Sequence, residues 1–140
     1  MQGKITIYSD GGSRGNPGPA ACAFVVIKDK NILHKEAYFL GKTTNNVAEY
    51  KGVLFALGWL KENKNLIEEK TVQFFLDSEL VVKQLTGVYK VKNNILKNLF
   101  ILIKQNEKSL NRQIFYKHIY REKNKLADSL LNNKLDSRKK

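Results

Sequence analysis

Four acidic residues of this sequence stand where secondary-structure elements are expected to begin or end: Asp10, Glu49, Asp77 and Asp128. Carboxylates gathered in one place repel one another and raise one another's pKa unless cations neutralise them. Hard divalent ions would do so, and oxygen ligands without a Cys or His cluster favour Mg²⁺, with Mn²⁺ as its substitute, over zinc. The four acids therefore predict a metal site if the fold brings them together.

Asp10 follows the β-branched and aromatic residues Ile5 to Tyr8, which predict a strand that ends at this acid. Gly11 and Gly12 come next, and the stretch up to Pro19 holds both prolines of the chain. Such a composition predicts tight turns whose backbone is open to a ligand. The alternative is an Asp-Gly hairpin turn between two strands, which a lone Asp-Gly-Gly more often forms.

Glu49 lies in the clearest predicted helix, Thr44 to Glu62, whose candidate N-caps are Thr44, Asn45 and Asn46. It heads an apolar stripe at helical spacing that contains Gly52, Val53, Ala56 and Leu60. A carboxylate among apolar neighbours is costly to bury unless something positive pairs with it. The alternative is that Glu49 closes a capping box with Asn46.

Asp77 ends the predicted strand Thr71 to Leu76, immediately before a short helix that begins at Ser78. Ligands of open α/β sheets bind beyond the carboxyl ends of strands, although a lone Asp in this position is more often a helix cap. Asp128 lies near the first turn of the last helix, where the helix dipole also stabilises a solvated acid.

The remaining pattern predicts strands over 20–28, 32–40 and 112–120, a helix over 94–109 and a last helix from Leu126. The order is three strands, a helix, a strand, two helices, a strand and a helix, which predicts an α/β fold whose first three strands form an antiparallel meander. We predict one domain over residues 1–136 and a disordered basic tail over 137–140.

The chain has 140 residues, 42% of them apolar, and a net charge of +12 with a pI near 9.8. This charge suits a polyanion such as nucleic acid. The single cysteine, Cys22, lies in an apolar run, which indicates a small buried hydrophobe in a reducing compartment. Because no apolar run approaches membrane length, a cytoplasmic protein without a membrane partner is expected.

Four correlated motifs resemble the type 1 ribonuclease H family, in particular its compact archaeal-like branch. They are Asp10 to Gly18 (DGGSRGNPG), Thr44 to Glu49 (TNNVAE), Leu76-Asp77-Ser78, and His118 with Arg121 to Asp128 (REKNKLAD). The resemblance implies a ribonuclease H-like fold, in which helices flank a five-stranded mixed sheet. It also implies endonucleolytic cutting of the RNA strand of an RNA/DNA hybrid.

The resemblance further implies hydrolysis with two Mg²⁺ ions about 3.5–4 Å apart. Asp10 would bridge both ions, Glu49 and Asp77 would hold the ion on the leaving-group side, and Asp128 would hold the ion that activates water. His118 matches the catalytic histidine of the family and would move a proton. The alternative for His118 is packing between Tyr116 and Tyr120.

Substrate-binding residues are also implied by the resemblance: Gly11, Gly12, Asn16, Thr44, Asn45 and Asn46. The asparagines match positions that contact the minor groove, where the 2′-OH distinguishes RNA, and Thr44 matches a position that binds a phosphate of the DNA strand. The alternative for the asparagines is helix capping and turn formation.

The sequence departs from the family pattern in two places. The link between Leu85 and Ile95 is short where many members have an extra helix and a basic protrusion, which predicts a weaker grip on the substrate. Ile119-Tyr120-Arg121 replaces a glycine-bearing loop, a difference that bears on the role of His118. The resemblance to the compact branch implies that double-stranded RNA is an additional candidate substrate. The rival hypotheses are a non-catalytic nucleic-acid-binding module and a DNA-cutting nuclease of the same fold. We expect the protein to be a monomer.

Overall fold

A computed structural model of the chain describes residues 3–138. The strands are β1 (Lys4–Ser13), β2 (Gly18–Lys28), β3 (Asn31–Thr43), β4 (Thr71–Leu76) and β5 (Gln113–His118). The helices are α1 (Asn45–Glu62), α2 (Glu79–Leu85), α3 (Asn94–Leu110) and α4 (Lys125–Ser137), and short 3₁₀ turns occupy Lys64–Leu66 and Arg121–Lys123. The predicted order of strands and helices is confirmed.

The strands form one mixed sheet in the order β3-β2-β1-β4-β5. The first three strands pair antiparallel, as the short turns between them predict. The other two pairs, β1 with β4 and β4 with β5, are parallel. Because parallel strands end at the same edge of a sheet, the residues after β4 lie beside the carboxyl-terminal half of β1.

Helix α1 lies between the sheet and α3 and is the centre of the hydrophobic core. Its predicted stripe is confirmed, and Val47, Tyr50 and Leu57 are also buried. Buried side chains therefore surround the helix, because α1 packs on β1 and β2 on one side and on α3 on the other. Because α1 has a second apolar face toward α3, the single predicted stripe did not include all of the apolar residues of α1.

Helix α4 packs alone on the opposite face of the sheet, over β2 and parts of β1 and β3. Leu131 and Leu135 contact Ala21 and Ala23 of β2 in a separate apolar cluster. Small side chains on the strand allow the helix to approach closely, so that its first turn reaches the end of the sheet where Asp10 lies.

Strand β1 does not end at Asp10, which corrects the prediction. It continues to Ser13 because β2 pairs with it from Thr6 to Ser13, whereas β4 pairs with β1 only as far as Tyr8. The chain turns after Ser13, so the hairpin-turn alternative for Asp10 is also wrong. Asp10 lies on the part of β1 that extends beyond its parallel neighbour β4.

Two boundaries at the end of the chain also differ from the predictions. Strand β5 is shorter than the predicted 112–120, because Ile119 bonds back to Leu76 and a 3₁₀ turn follows. Helix α4 includes Ser137, and the Arg138 guanidinium lies 4.5 Å from the centre of the Phe39 ring, in place of the disorder predicted from residue 137 onward. The rest of the predicted tail, 139–140, lies outside the described residues.

No helix within residues 3–138 is both long enough and apolar enough to cross a bilayer.

Strand β1 approaches the first turn of α1 closely at Gly11. A Cβ atom on Gly11 would lie 2.2 Å from the carbonyl carbon of Ala48 and 2.4 Å from the amide nitrogen of Glu49. Backbone atoms cannot move aside cheaply, so only glycine fits there. A Cβ on Gly12 would meet only side-chain atoms, at 3.7 Å or more.

We therefore predict that Gly11→Ala lowers the free energy of unfolding by about 1–3 kcal/mol, because overpacking separates β1 from α1. Gly12→Ala is the matched control and should change the free energy of unfolding by less than about 0.5 kcal/mol. Urea unfolding followed by circular dichroism measures both. Equal stability of the two variants would contradict the close approach.

Candidate active site

Three of the four predicted acids meet at one end of the sheet. One carboxylate oxygen each from Asp10, Glu49 and Asp77 lies within 4.8 Å of the other two. Asp10 and Asp77 are neighbours because β1 and β4 run parallel, and Glu49 reaches them from the first turns of α1. Asp10 and Glu49 are only 4% and 5% exposed. The geometry therefore brings together residues that are distant in sequence, in an arrangement that could hold a cation.

The backbone N–H of Gly11 connects two of these acids. It donates to Asp10 Oδ1 at 2.9 Å and to Glu49 Oε1 at 3.0 Å. The other carboxylate oxygen of Glu49, Oε2, is buried without a hydrogen-bond partner among the described residues. A buried oxygen with a free lone pair is costly unless a proton or a cation satisfies it.

The capping-box alternative for Glu49 is wrong. The Thr44 hydroxyl accepts a hydrogen bond from Val47 N at 3.3 Å and is the N-cap of α1. The Glu49 carboxylate instead points to Gly11. The start of the helix is thus satisfied without Glu49, which leaves this acid available to the site.

All three clustered acids have a raised pKa. Burial, followed by the charge of Asp77, raises the pKa of Asp10 to about 7. Burial and the nearby Asp10 raise the pKa of Glu49 well above its ordinary value, and burial raises that of Asp77. Without a cation, the cluster therefore retains protons near neutral pH. A divalent ion would displace them and satisfy Glu49 Oε2.

Asp77 does not cap α2, which rules out its structural alternative. Ser78 is the N-cap, accepting from Val81 N at 3.3 Å. Asp77 Oδ2 instead lies 3.4 Å from the side-chain nitrogen of Asn124, which also donates to the Ser9 carbonyl at 3.0 Å.

The sequence analysis missed Asn124 as a site residue. It stands at the N-cap position of α4, yet its side chain makes no capping bond and is 1% exposed. Its amide fixes the start of α4 to β1 and orients Asp77. The only signal in the sequence is an asparagine just before the last helix, and such a residue is ordinarily a cap.

Asp128 lies in the first turn of α4 and lines the same cavity, of about 370 Å³, as the three clustered acids. Its carboxylate is half-buried, with the Arg121 guanidinium 3.9 Å away. The Asn132 amide donates to Asp128 Oδ1 at 3.2 Å, a second contact that the sequence analysis missed. Asp128 thus faces the cavity from the helix on the other side of the sheet, although it is outside the group of three.

His118 is the last residue of β5, opposite Leu76 in the register. Its ring meets the edge of Tyr120, with 5.8 Å between the ring centres. Because Leu76 immediately precedes Asp77, this register places His118 beside the end of β4 from which that acid extends. The ring therefore packs on an aromatic neighbour at the strand end next to Asp77.

Four of the predicted substrate residues, Gly11, Gly12, Asn45 and Asn46, line the cavity beside the acids. Asn45 Oδ1 accepts from Ser13 N at 2.8 Å, and Asn45 N donates to Asn16 Oδ1 at 3.0 Å. These two asparagines therefore attach the loop after β1 to the start of α1. Thr44 takes its alternative role as the cap of α1.

Comparison with known proteins gives consistent matches. Residues 8–134 match the protein family described as reverse transcriptase-like. A bifunctional protein of Mycobacterium tuberculosis is 37% identical over 136 residues, which are 96% of this chain and 36% of that protein. The chain therefore spans about a third of the length of this relative.

Solved structures are similar over almost the whole chain. The LC11 ribonuclease H1, solved with an RNA/DNA hybrid, is 42% identical with a TM-score of 0.90, over 95% of this chain and 97% of that one. Ribonuclease H1 of the archaeon Halobacterium salinarum is 32% identical with a TM-score of 0.88, over 96% and 99% of the two chains. The five-stranded sheet, the convergent acids and these relatives show that the chain belongs to the type 1 ribonuclease H family.

Proposed function

We propose that this protein is an endoribonuclease that hydrolyses the RNA strand of RNA/DNA hybrids with the aid of two divalent ions. The observation that carries this proposal is the convergence of Asp10, Glu49 and Asp77, with Glu49 Oε2 buried and unsatisfied. A protein that only bound nucleic acid would have no need for buried carboxylates in its binding cleft, because they repel phosphate.

The donor set fits Mg²⁺, because it consists of carboxylate oxygens with no thiolate or imidazole in the group of three. Asp10, Glu49, Asp77 and Asp128 would hold two ions, with Asp10 shared, and Mn²⁺ would substitute. When bound, such ions lower the pKa of a water nucleophile and stabilise the leaving oxygen.

The chain itself prepares the site for this chemistry. The Gly11 N–H holds Asp10 and Glu49 at a fixed separation, and Asn124 orients Asp77. These side chains need little reorganisation when they become ligands. His118, near Asp77, is the residue available to carry a proton to the leaving oxygen.

The residues around the acids would select the substrate by contacts to its two strands. Asn45, Asn46, Gly11 and Gly12 line the cavity, and Asn16 contacts Asn45, so these groups could donate to and accept from 2′-hydroxyls in a minor groove. Thr44, which immediately precedes Asn45 in the chain, is the proposed contact to a phosphate of the DNA strand. Double-stranded RNA is a second candidate, because the short link between α2 and α3 leaves little surface to distinguish the non-cleaved strand.

A monomer and a cytoplasmic location stay predictions. The location is supported by Cys22, which is fully buried in β2 and unpaired. The high net charge of +12 supports a nucleic-acid partner.

For the proposed activity, the first variant to test is Asp10→Asn. This substitution should abolish cleavage of a hybrid in Mg²⁺ while the hybrid still binds, because it removes the shared ligand and also a charge that repels phosphate. Gel electrophoresis of cleavage products and fluorescence anisotropy measure the two effects. Asp29→Asn, at an exposed position in the turn between β2 and β3, is the matched control. More than a few per cent of parental turnover in Asp10→Asn would contradict the shared-ligand role.

The second prediction concerns stability without a metal. The pKa of Asp10 is about 7 in the folded chain against an ordinary value of 3.8, so the folded state binds more protons than the unfolded state between these values. The contribution of Asp10 to the free energy of unfolding is therefore fully present below pH 3.8 and is lost as pH rises through about 7.

In EDTA at pH 8, Asp10→Asn should accordingly be more stable than the parent chain by about 1–3 kcal/mol, and at pH 4 the difference should vanish. Urea unfolding at the two pH values, repeated with Mg²⁺ in place of EDTA, tests this. The ion should stabilise the parent chain and not the variant. A difference that is independent of pH would refute the linkage.

The third prediction concerns His118→Ala, which should reduce turnover by at least about tenfold, because general acid–base catalysis contributes ~10²–10⁴-fold. The Mg²⁺ concentration for half-maximal activity and the thermal midpoint should change little. Tyr120→Ala is the control, because it removes the packing partner of His118 and keeps the imidazole. If both variants lose activity equally, packing rather than proton transfer explains the effect of His118.

A further inference from the structure

One part of the sheet is not covered by a helix. Residues of β4 alternate strictly between buried and half-buried side chains, and the buried set, which includes Phe74, faces α1 and α3. The opposite set continues onto neighbouring positions of β1 and β5, whereas α4 packs on β2, on β3 and on β1 near Gly12. We call nine positions of β1, β4 and β5 the open sheet face: Lys4, Thr6, Tyr8, Thr71, Gln73, Phe75, Gln113, Phe115 and Lys117.

The composition of the open sheet face is unusual for a solvated surface. The strand register arranges its nine side chains in three rows of three. They comprise three aromatic residues, Tyr8, Phe75 and Phe115, two lysines, Lys4 and Lys117, and otherwise only threonine and glutamine. None of the nine is acidic.

The three aromatic rings lie on adjacent strands, two of them half-buried and one exposed. Tyr8 and Phe75 stack with 5.2 Å between their centres and an angle of 28° between their planes. Phe115, on the adjacent strand, is 50% exposed. Nucleic-acid bases stack on exposed aromatic side chains of a sheet whatever their sequence, and flanking lysines neutralise the phosphates between them.

The open sheet face also continues directly from the candidate active site. Tyr8 precedes Asp10 by two residues of β1, so these two side chains point to the same side of the sheet. Phe75 precedes Asp77 by two residues, at the end of β4. The separation along each strand is about 7 Å, roughly one nucleotide. A strand that leaves the site at this edge would therefore meet the rings next.

We propose that the open sheet face binds a single-stranded extension of the duplex held in the active site, with its bases on Phe75 and Phe115 and its phosphates near Lys117. This inference rests on the proposed function, because the duplex positions the extension. The protein would then favour hybrids at a junction with unpaired nucleic acid over hybrids with flush ends.

Two matched substrates test the proposal: a labelled hybrid with flush ends, and the same hybrid with an eight-nucleotide single-stranded DNA extension. Binding is measured by fluorescence anisotropy in EDTA, so that neither substrate is cut. We expect the extension to tighten binding to the parent chain about tenfold on at least one of the two possible ends. Phe115→Ala should remove most of this gain and change the affinity for the flush hybrid by less than twofold.

The control variant is Leu102→Ala, which truncates a similarly exposed apolar residue, 44% exposed, on α3. It should keep the full gain from the extension. Lys117→Gln should reduce the gain and also lower its salt dependence.

Three results would overturn the proposal. The extension could fail to tighten binding, or the gain could survive Phe115→Ala. Sedimentation could also show a dimer of the parent chain that Phe115→Ala dissociates, in which case the open sheet face is a protein interface. Failure of the proposed function is separate, because it would appear as no cleavage of the flush hybrid in Mg²⁺, whatever the effect of the extension on binding.

Discussion

The close approach of β1 to the first turn of α1 determines the geometry of the acid cluster. At Gly11 the two backbones come so near that no side chain fits between them. As a result, one amide N–H reaches both Asp10 and Glu49. The two buried carboxylates share this donor. Burial raises the pKa of both, and the charge of Asp77 adds to the effect on Asp10, as the charge of Asp10 does on Glu49. The same contact between β1 and α1 therefore packs the core and aligns the acids of the candidate cation site.

The second support of the site comes from the opposite face of the sheet. Helix α4 is attached to β2 through Leu131 and Leu135, and its start is fixed by the hydrogen bonds of Asn124. These contacts bring Asp128 to the cavity that β1, β4 and α1 have already formed. The four acids thus come from four elements, and the sheet is the common reference that aligns them.

The sequence predicted the order of elements and the four acids, because alternation, helical periodicity and the motifs around Asp10 and Glu49 are local signals. It did not predict that β1 continues past Asp10, since that depends on pairing with β2 across the hairpin. Nor did it identify Asn124, whose amide bonds atoms more than forty residues away along the chain. The errors therefore lie where a long-range partner overrides what the neighbouring residues favour.

The bonds of Gly11 also determine how this site can be lost through mutation. The group that aligns Asp10 and Glu49 is a main-chain amide, which every residue except proline possesses. Substitution at this position therefore does not delete the donor but displaces it, through the bulk of whatever side chain is added. Because the alignment depends on the lack of a side chain at position 11, it is sensitive to the size of the replacement residue and insensitive to its polarity.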